Sequence, residues 1–393
     1  VKIPALVEID PDFWLGRRVL VTGHTGFKGA WLSLWLQSLG AEITGLARGV
    51  PTQPSLYRLA GVGAHMHELE GDVRDAAAVR EAVRESRPEV VLHLAAQPLV
   101  RRSLQEPAMT YAVNVIGTVN LLEAVRQDGA GVLAVVLVTS DKCYENPGVS
   151  QRFVEDDPLG GSDPYSSSKA CAELVARAYR RSYFSGAGTP RVATARAGNV
   201  IGGGDWGEDR LVPDAIRAVD SGQPLQVRNP GAVRPWQHVL SPLSGYLRLA
   251  EALAHGDAPD AAGALARCGE AGGSPGARVS SSEAPPRSAE ATGAWNFGPA
   301  ADDVRPVSWI VERLAELWGG ELRWRPDDSE NPPEAGHLAL DSSAAEALLG
   351  WRPSCSLGDA LELIVEWHRA QRSDADMREA SLAQIARIQN PTS

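Results

Sequence analysis

Two short stretches hold the residue types best suited to chemistry. In DPYSSSKACAELV, Tyr165 and Lys169 stand four apart near the start of a helical pattern, a spacing that puts both side chains on one helix face. A phenol titrates near about 10 and is a poor base at neutral pH, but a nearby ammonium favours its phenolate. In LVTSDKCYEN, the apolar run from Ala134 to Val138 gives way to Ser140, Asp141 and Lys142. A half-exposed strand would alternate polar and apolar residues. Here a buried strand delivers a hydroxyl, a carboxylate and an ammonium together at its carboxyl end, where ligands bind in open α/β sheets.

A third stretch, VTGHTGFKGAW, sets Gly23, Gly26 and Gly29 in GxxGxxG spacing between a strand and a helix. Glycines there permit a tight turn and a close approach of backbone to a pyrophosphate seated at the helix N-terminus. A Walker-type loop fails, because Lys28 is followed by Gly29 and not by Ser or Thr. An oxidised nicotinamide would further favour the Tyr165 phenolate, which then takes a hydroxyl proton as hydride leaves the same carbon. The acid that usually holds the NAD ribose after the second strand is missing. ITGLARGVPTQPS offers Arg48 instead, suited to the 2′-phosphate of NADP and equally to a solvated loop. Asp72, in EGDVRD, is a candidate adenine contact or a turn cap.

The elements that must position these residues are legible as alternation. RRVLVTG, AEITGLA, EVVLHLAA, LAVVLVTS and RVATARA read as strands. KGAWLSLWLQSLG, DAAAVREAVRESRP, NVIGTVNLLEAVRQ and YSSSKACAELVARAYRRSY read as the helices between them. Such βα alternation predicts an α/β fold, a Rossmann-type doubly wound parallel sheet. After Asn199 short segments rich in Gly, Pro, Trp and Arg take over, which suggests a smaller C-terminal α/β domain. SPLSGYLRLAEALAH reads as a further helix, and residues 262–293, rich in Ala, Gly, Ser and Pro, read as a flexible surface insertion. Trp31, Trp35, Trp309 and Trp318 fall on helical faces as core residues, whereas Trp206 and Trp236 lie in the region expected to meet substrate.

Composition narrows the function. The 393 residues are 44% hydrophobic, ample for a large core, and a net charge of −11 argues against nucleic acid or an anionic membrane as main partner. The four cysteines, Cys143, Cys171, Cys268 and Cys355, form no CxxC pair, so no metal or redox motif is expected. VKIPALVEIDPDFW carries acids and lacks the apolar core of a signal peptide. No apolar run approaches the roughly 20 residues of a membrane span. A cytoplasmic protein with free thiols is expected.

VTGHTGFKG, GDVRD, LHLAAQP, NVIGT, VTSDKCYEN, PYSSSK, ARAGNVIGGGDW and RPWQHV together resemble the extended short-chain dehydrogenases/reductases, the family of nucleotide-sugar epimerases and dehydratases. TGHTGFKGAWLSLWLQ, AAQPLVRRS, TSDKCYEN and ARAGNVIGGGDWGEDRLVPD are similar to the branch that dehydrates CDP-D-glucose. The resemblance implies NAD as cofactor, against the NADP reading of Arg48. It implies cofactor contacts at Gly23, Thr25, Gly26, Phe27, Lys28, Gly29, Asp72, Val73, Leu94, Ala95, Ala96, Gln97, Asn114, Tyr165 and Lys169. It implies oxidation at C4, loss of water across C5 and C6, and hydride return to C6. Tyr165 would take the C4 hydroxyl proton beside Ser140 and Lys169, and Asp141 would protonate the leaving C6 hydroxyl. Where many sugar-nucleotide dehydratases have Glu as the C5 base this chain has Lys142, to act as a neutral amine or as an ammonium beside the enolate. An Asp141–Lys142 ion pair capping the strand is the plainer alternative.

Substrate contacts are expected from Gln97, Arg101, Asn199, Arg210, Leu211 and Arg234, with Arg234 the preferred diphosphate ligand and His238 a structural hydrogen bonder. A CDP-hexose substrate and a homodimer or homotetramer are the implied partners. The expected domains are an NAD-binding unit of residues 1–198, with returning segments about 238–258 and 292–300, and a sugar-nucleotide unit of 199–237 and 301–393. A nucleotide-sugar 4-epimerase, a dehydratase acting on another nucleotide-hexose, and a non-catalytic nucleotide binder are the competing readings. An epimerase has no need of an acid to expel water, and a binder has no need of the Tyr–Lys pair.

Overall fold

Seven strands form one parallel sheet: β1 (Arg18–Thr22), β2 (Glu42–Ala47), β3 (His67–Glu70), β4 (Val90–His93), β5 (Ala134–Val138), β6 (Arg191–Ala197) and β7 (Ala294–Phe297), in the spatial order β7-β6-β5-β4-β1-β2-β3. The computed structural model describes residues 9–148, 151–255, 293–327 and 337–389. The insertion expected at 262–293 lies outside these apart from Gly293. Central strands β4 and β5 are buried along nearly their whole length, which explains their unbroken apolar runs; a strand covered on both faces has no polar side to show. Strand order reverses between β1 and β4, so the carboxyl ends of β1, β4 and β5 open onto the switch-point crevice where such folds bind ligands.

Helices cover both faces: α1 (Phe27–Ser38), α2 (Ala76–Ser86), α3 (Gly117–Asp128), α4 (Pro164–Ser182), α5 (Leu211–Ser221), α6 (Leu240–His255), α7 (Leu357–Arg372) and α8 (Met377–Gln389). One core joins the sheet to α1, α6, α7 and α8 through Trp31, Trp35, Leu243 and Trp367; a second sits under α2, α3 and α4 around Val79, Leu121 and Ala176. A third core, of Val212, Ile216, Ile310, Leu314 and Trp318, lies in the region read as the smaller domain. Trp318 is buried there and Trp309 packs against it. The continuous helical run Pro107–Asp128 is long and apolar enough by composition to cross a bilayer. Here it packs on α2 and α4 and buries Leu121, Leu122, Ala124 and Val125, so its apolar face serves this core.

Candidate active site

The glycine loop is built from three different steric demands. Gly23 has φ +76°, and a Cβ on it would lie 2.8 Å from Ala95 Cα. A Cβ on Gly29 would fall 2.1 Å from the Gly23 carbonyl, so this glycine lets α1 close against the turn. Gly26 is the N-cap of α1 and offers no side-chain cap; a Cβ there meets nothing nearer than 3.4 Å. The first-turn N–H groups of α1 have no intrahelical partner. Two glycines thus shape the cradle and the third leaves it open, the fit a dinucleotide pyrophosphate requires.

That cradle forms one wall of a cavity of about 1310 Å³ running along the carboxyl ends of the sheet. Every site residue expected from the sequence lines it except Asn114. Asn114 sits behind the wall: its Oδ1 accepts from Gln97 N at 2.8 Å, and its Nδ2 donates to Gln97 O and to Ser168 Oγ. Gln97 borders the cavity, but its amide is spent on Thr110 Oγ1, Leu99 O and Leu99 N. These bonds brace the loop after β4. Arg48 ion-pairs with Asp72 at 3.5 Å, and Asp72 also accepts from the Arg74 backbone at 3.0 Å and pairs with its guanidinium at 2.7 Å. The Asp72 carboxyl is held below its ordinary range chiefly by Arg74. The turn-cap geometry is therefore present at the cavity edge.

The strand end and the helix meet across this cavity. Asp163 caps α4, accepting from Ser166 N at 2.9 Å, and so starts the helix one turn before Lys169. Lys169 Nζ donates to the Val138 carbonyl at 3.3 Å, tying α4 to the end of β5. Ser140 Oγ donates to Asp141 Oδ1 at 2.9 Å and accepts from Lys142 N at 3.2 Å. Asp141 is buried, and its Oδ2 has no hydrogen-bond partner. Burial raises its carboxyl above the usual range, against the pull of Lys142, Ser140, Arg234 and Lys28. Burial also pushes the Tyr165 phenol up to about 12, opposed by Ser140 and by Arg210. Lys169 is pushed down to about 8 by burial, with Glu173 the main group restoring its charge. Burial thus shifts both the phenol and the carboxyl toward their neutral forms.

Supporting residues that the sequence reading passed over now appear. Glu173, one turn beyond Lys169, accepts from Thr139 and Thr194 and ion-pairs with Arg196 at 2.9 Å, all buried. The Tyr165–Lys169–Glu173 spacing of four and four was the available signal. Asp205 holds Arg210 at 2.9 Å, and Tyr246 of α6 accepts from Lys28 Nζ at 3.2 Å; neither had a sequence signal. Arg234 is buried on the cavity wall, Arg101 lies on its rim 3.5 Å from Asp209, and Asn199, Leu211, Trp206 and Trp236 lie along the same side. His238 accepts from Leu240 N at 3.3 Å and is driven to about 3 by burial, in line with a structural role. Among the described residues no cluster of ligating side chains fits a metal ion.

Residues 19–262 match the model of the NAD dependent epimerase/dehydratase family. The chain is 44% identical, over 98% of its length and 99% of the relative, to a CDP-glucose 4,6-dehydratase of Salmonella typhimurium. It is 28% identical, over 89% of its length and 92% of the relative, to a dTDP-glucose 4,6-dehydratase of Xanthomonas campestris. Among solved structures, a double mutant of a dTDP-glucose 4,6-dehydratase from Streptomyces venezuelae with NAD bound superposes with a TM-score of 0.70 at 25% identity, covering 92% of this chain and 99% of that one. A UDP-glucose 4-epimerase of Thermus thermophilus in complex with NAD gives 0.68 at 26% identity, covering 90% and 99%.

Proposed function

Because the chain belongs to the NAD dependent epimerase/dehydratase family, we propose that it is a hydro-lyase converting CDP-D-glucose to CDP-4-keto-6-deoxy-D-glucose. The observation that carries dehydration over epimerisation is Asp141. It is a buried carboxyl whose pKa is raised by burial, with one oxygen unpartnered, on the same cavity as Tyr165. Epimerisation at C4 expels no hydroxyl and has no use for such an acid. The cytidine nucleotide is supported by the 44% identity to the Salmonella enzyme along the whole chain.

Bound NAD supplies the hydride acceptor for C4 and the hydride returned to C6; the residues of the glycine cradle, with Leu94, Ala95 and Ala96, would hold it. Tyr165 takes the C4 hydroxyl proton, and Ser140 steadies the oxygen. Lys169, anchored on the Val138 carbonyl, keeps a positive charge behind the phenol, and Glu173 sustains that charge. The new carbonyl acidifies C5–H. Lys142 serves C5, as an amine that takes the proton or as an ammonium paired with the enolate. Asp141 gives its proton to the C6 hydroxyl, which leaves as water. Arg234, Arg210 and Arg101 grip the diphosphate through their planar donors.

The NAD-binding unit would be residues 1–198 with returning segments about 238–258 and 292–300, and the sugar-nucleotide unit 199–237 and 301–393. A homodimer or homotetramer in the cytoplasm completes the proposal; Cys143, Cys171 and Cys355 are unpaired, which suits a reducing compartment. Turnover with CDP-, dTDP- and UDP-glucose tests the assignment. The expected result is a 4-keto-6-deoxy product with kcat/KM at least about tenfold higher for CDP-glucose, a difference of about 1.4 kcal/mol in transition-state binding. A C4 epimer, or preference for another nucleotide, contradicts it.

A further inference from the structure

Lys28 belongs to the glycine loop but does not extend along it. Its Nζ crosses to α6, where it donates to Tyr246 Oη at 3.2 Å and stands 5.6 Å from that ring's centroid. The side chain is half-buried on the cavity wall. The charged groups facing it are Lys169 from α4, Arg210 ahead of α5, and Asp141 beyond β5; Tyr246 in turn faces Tyr165 and Asp141. Burial, Lys169 and Arg210 push the ammonium down to about 7, and Asp141 offsets only part of this. Both protonation states have a partner: the ammonium donates to Tyr246 Oη, and the neutral amine accepts from it.

A nicotinamide that exchanges hydride with a carbon next to Tyr165 must lie at this end of the cavity. We propose that Lys28 is linked to the redox state of the cofactor: its amine is less protonated beside the cationic ring and takes up a proton when the ring becomes neutral. The hydride brings two electrons to the ring and removes its positive charge. The proton added to Nζ comes from solvent and is released when hydride leaves again. Two like charges in one low-dielectric cavity repel, so Lys28 favours the reduced half of the cycle in which water is lost. The pyrophosphate favours a charged Lys28 in both redox forms, so the difference between NADH and NAD⁺ isolates the ring charge. The linkage rests on NAD binding and not on which sugar nucleotide is the substrate.

The test measures dissociation constants of NAD⁺ and NADH for the whole protein, without sugar nucleotide, from about pH 6 to about pH 8.5, spanning the Lys28 titration. The ratio of the NAD⁺ to the NADH constant should be largest at low pH. It should fall toward high pH by about tenfold for each unit by which the Lys28 pKa differs between the two complexes. Lys28→Met should flatten the ratio. Lys28→Arg, charged throughout, should flatten it at a value favouring NADH. A flat ratio in the wild type overturns the linkage. A slope that survives in Lys28→Met also overturns it and assigns the proton to His24 or Lys169.

Discussion

Tyr165 and Asp141 face opposite problems with one cause. Burial lifts both, which suits the acid role proposed for the carboxyl and requires substrate and cofactor to bring the phenol into its proposed role as base. Tyr165→Phe should therefore cut kcat by about 10²–10⁴ through loss of the proton acceptor, with C4 oxidation abolished in single-turnover absorbance. Asp141→Asn keeps the volume but has no proton to give. Reduced cofactor should then form and persist, while release of water falls by a similar factor; loss of the oxidation step instead would move Asp141 out of the acid role. At this scale the sequence disclosed groups that share a short motif, because four-residue spacing fixes a helix face. It did not disclose Asp205, which lines the cavity beside Arg210, or Tyr246, which holds Lys28 from α6; each meets its partner only through the fold. Asn114 and Gln97 show the converse: their motifs are those of a cofactor contact, yet their amides are consumed in holding the loop after β4.

At the scale of elements, the strand ends and the N-terminus of α1 do the positioning. Gly29→Ala would place a Cβ 2.1 Å from the Gly23 carbonyl, a backbone clash that should destabilise the fold by about 1–3 kcal/mol and lower Tm in thermal denaturation. Gly26→Ala meets nothing within 3.4 Å, so Tm should hold while NAD affinity falls, as read by calorimetry. Equal losses of Tm in both variants would contradict the division of labour within the loop. Long apolar strands and capped helices were legible because their periodicity reports burial. Strand β3 was not: of its four residues, His67, Glu68 and Glu70 are exposed, and an edge strand without an apolar face carries no alternation to read.

The whole molecule buries three imidazoles without compensating charge: His93, His238 and His368 are each driven by burial to about 3. In the unfolded chain they titrate near about 6.5. The folded value is the lower one, so their contribution is fully present above the unfolded pKa and is lost as pH falls toward the folded value. Each costs up to about 1.4 kcal/mol per pH unit in that window. Glu251, raised to about 7 by burial, works in the opposite sense, as do Asp141, Glu155, Asp214 and Asp303, which burial also raises; His24, lowered by burial, adds to the three. Tm should therefore fall between pH 7 and pH 5; a rise would mean these histidines are not buried neutral. The reading of a cofactor unit and a substrate unit rests on a change in composition after Asn199, with a segment expected to return near 292–300; β7 (Ala294–Phe297) lies in that segment and joins the main sheet. The cycle as a whole is tested most directly with CDP-D-glucose deuterated at C4 and catalytic NAD⁺. The account predicts a dehydrated 4-keto product with the deuterium at C6; a C4 epimer without loss of water, or a product whose C6 carries only solvent hydrogen, would contradict it.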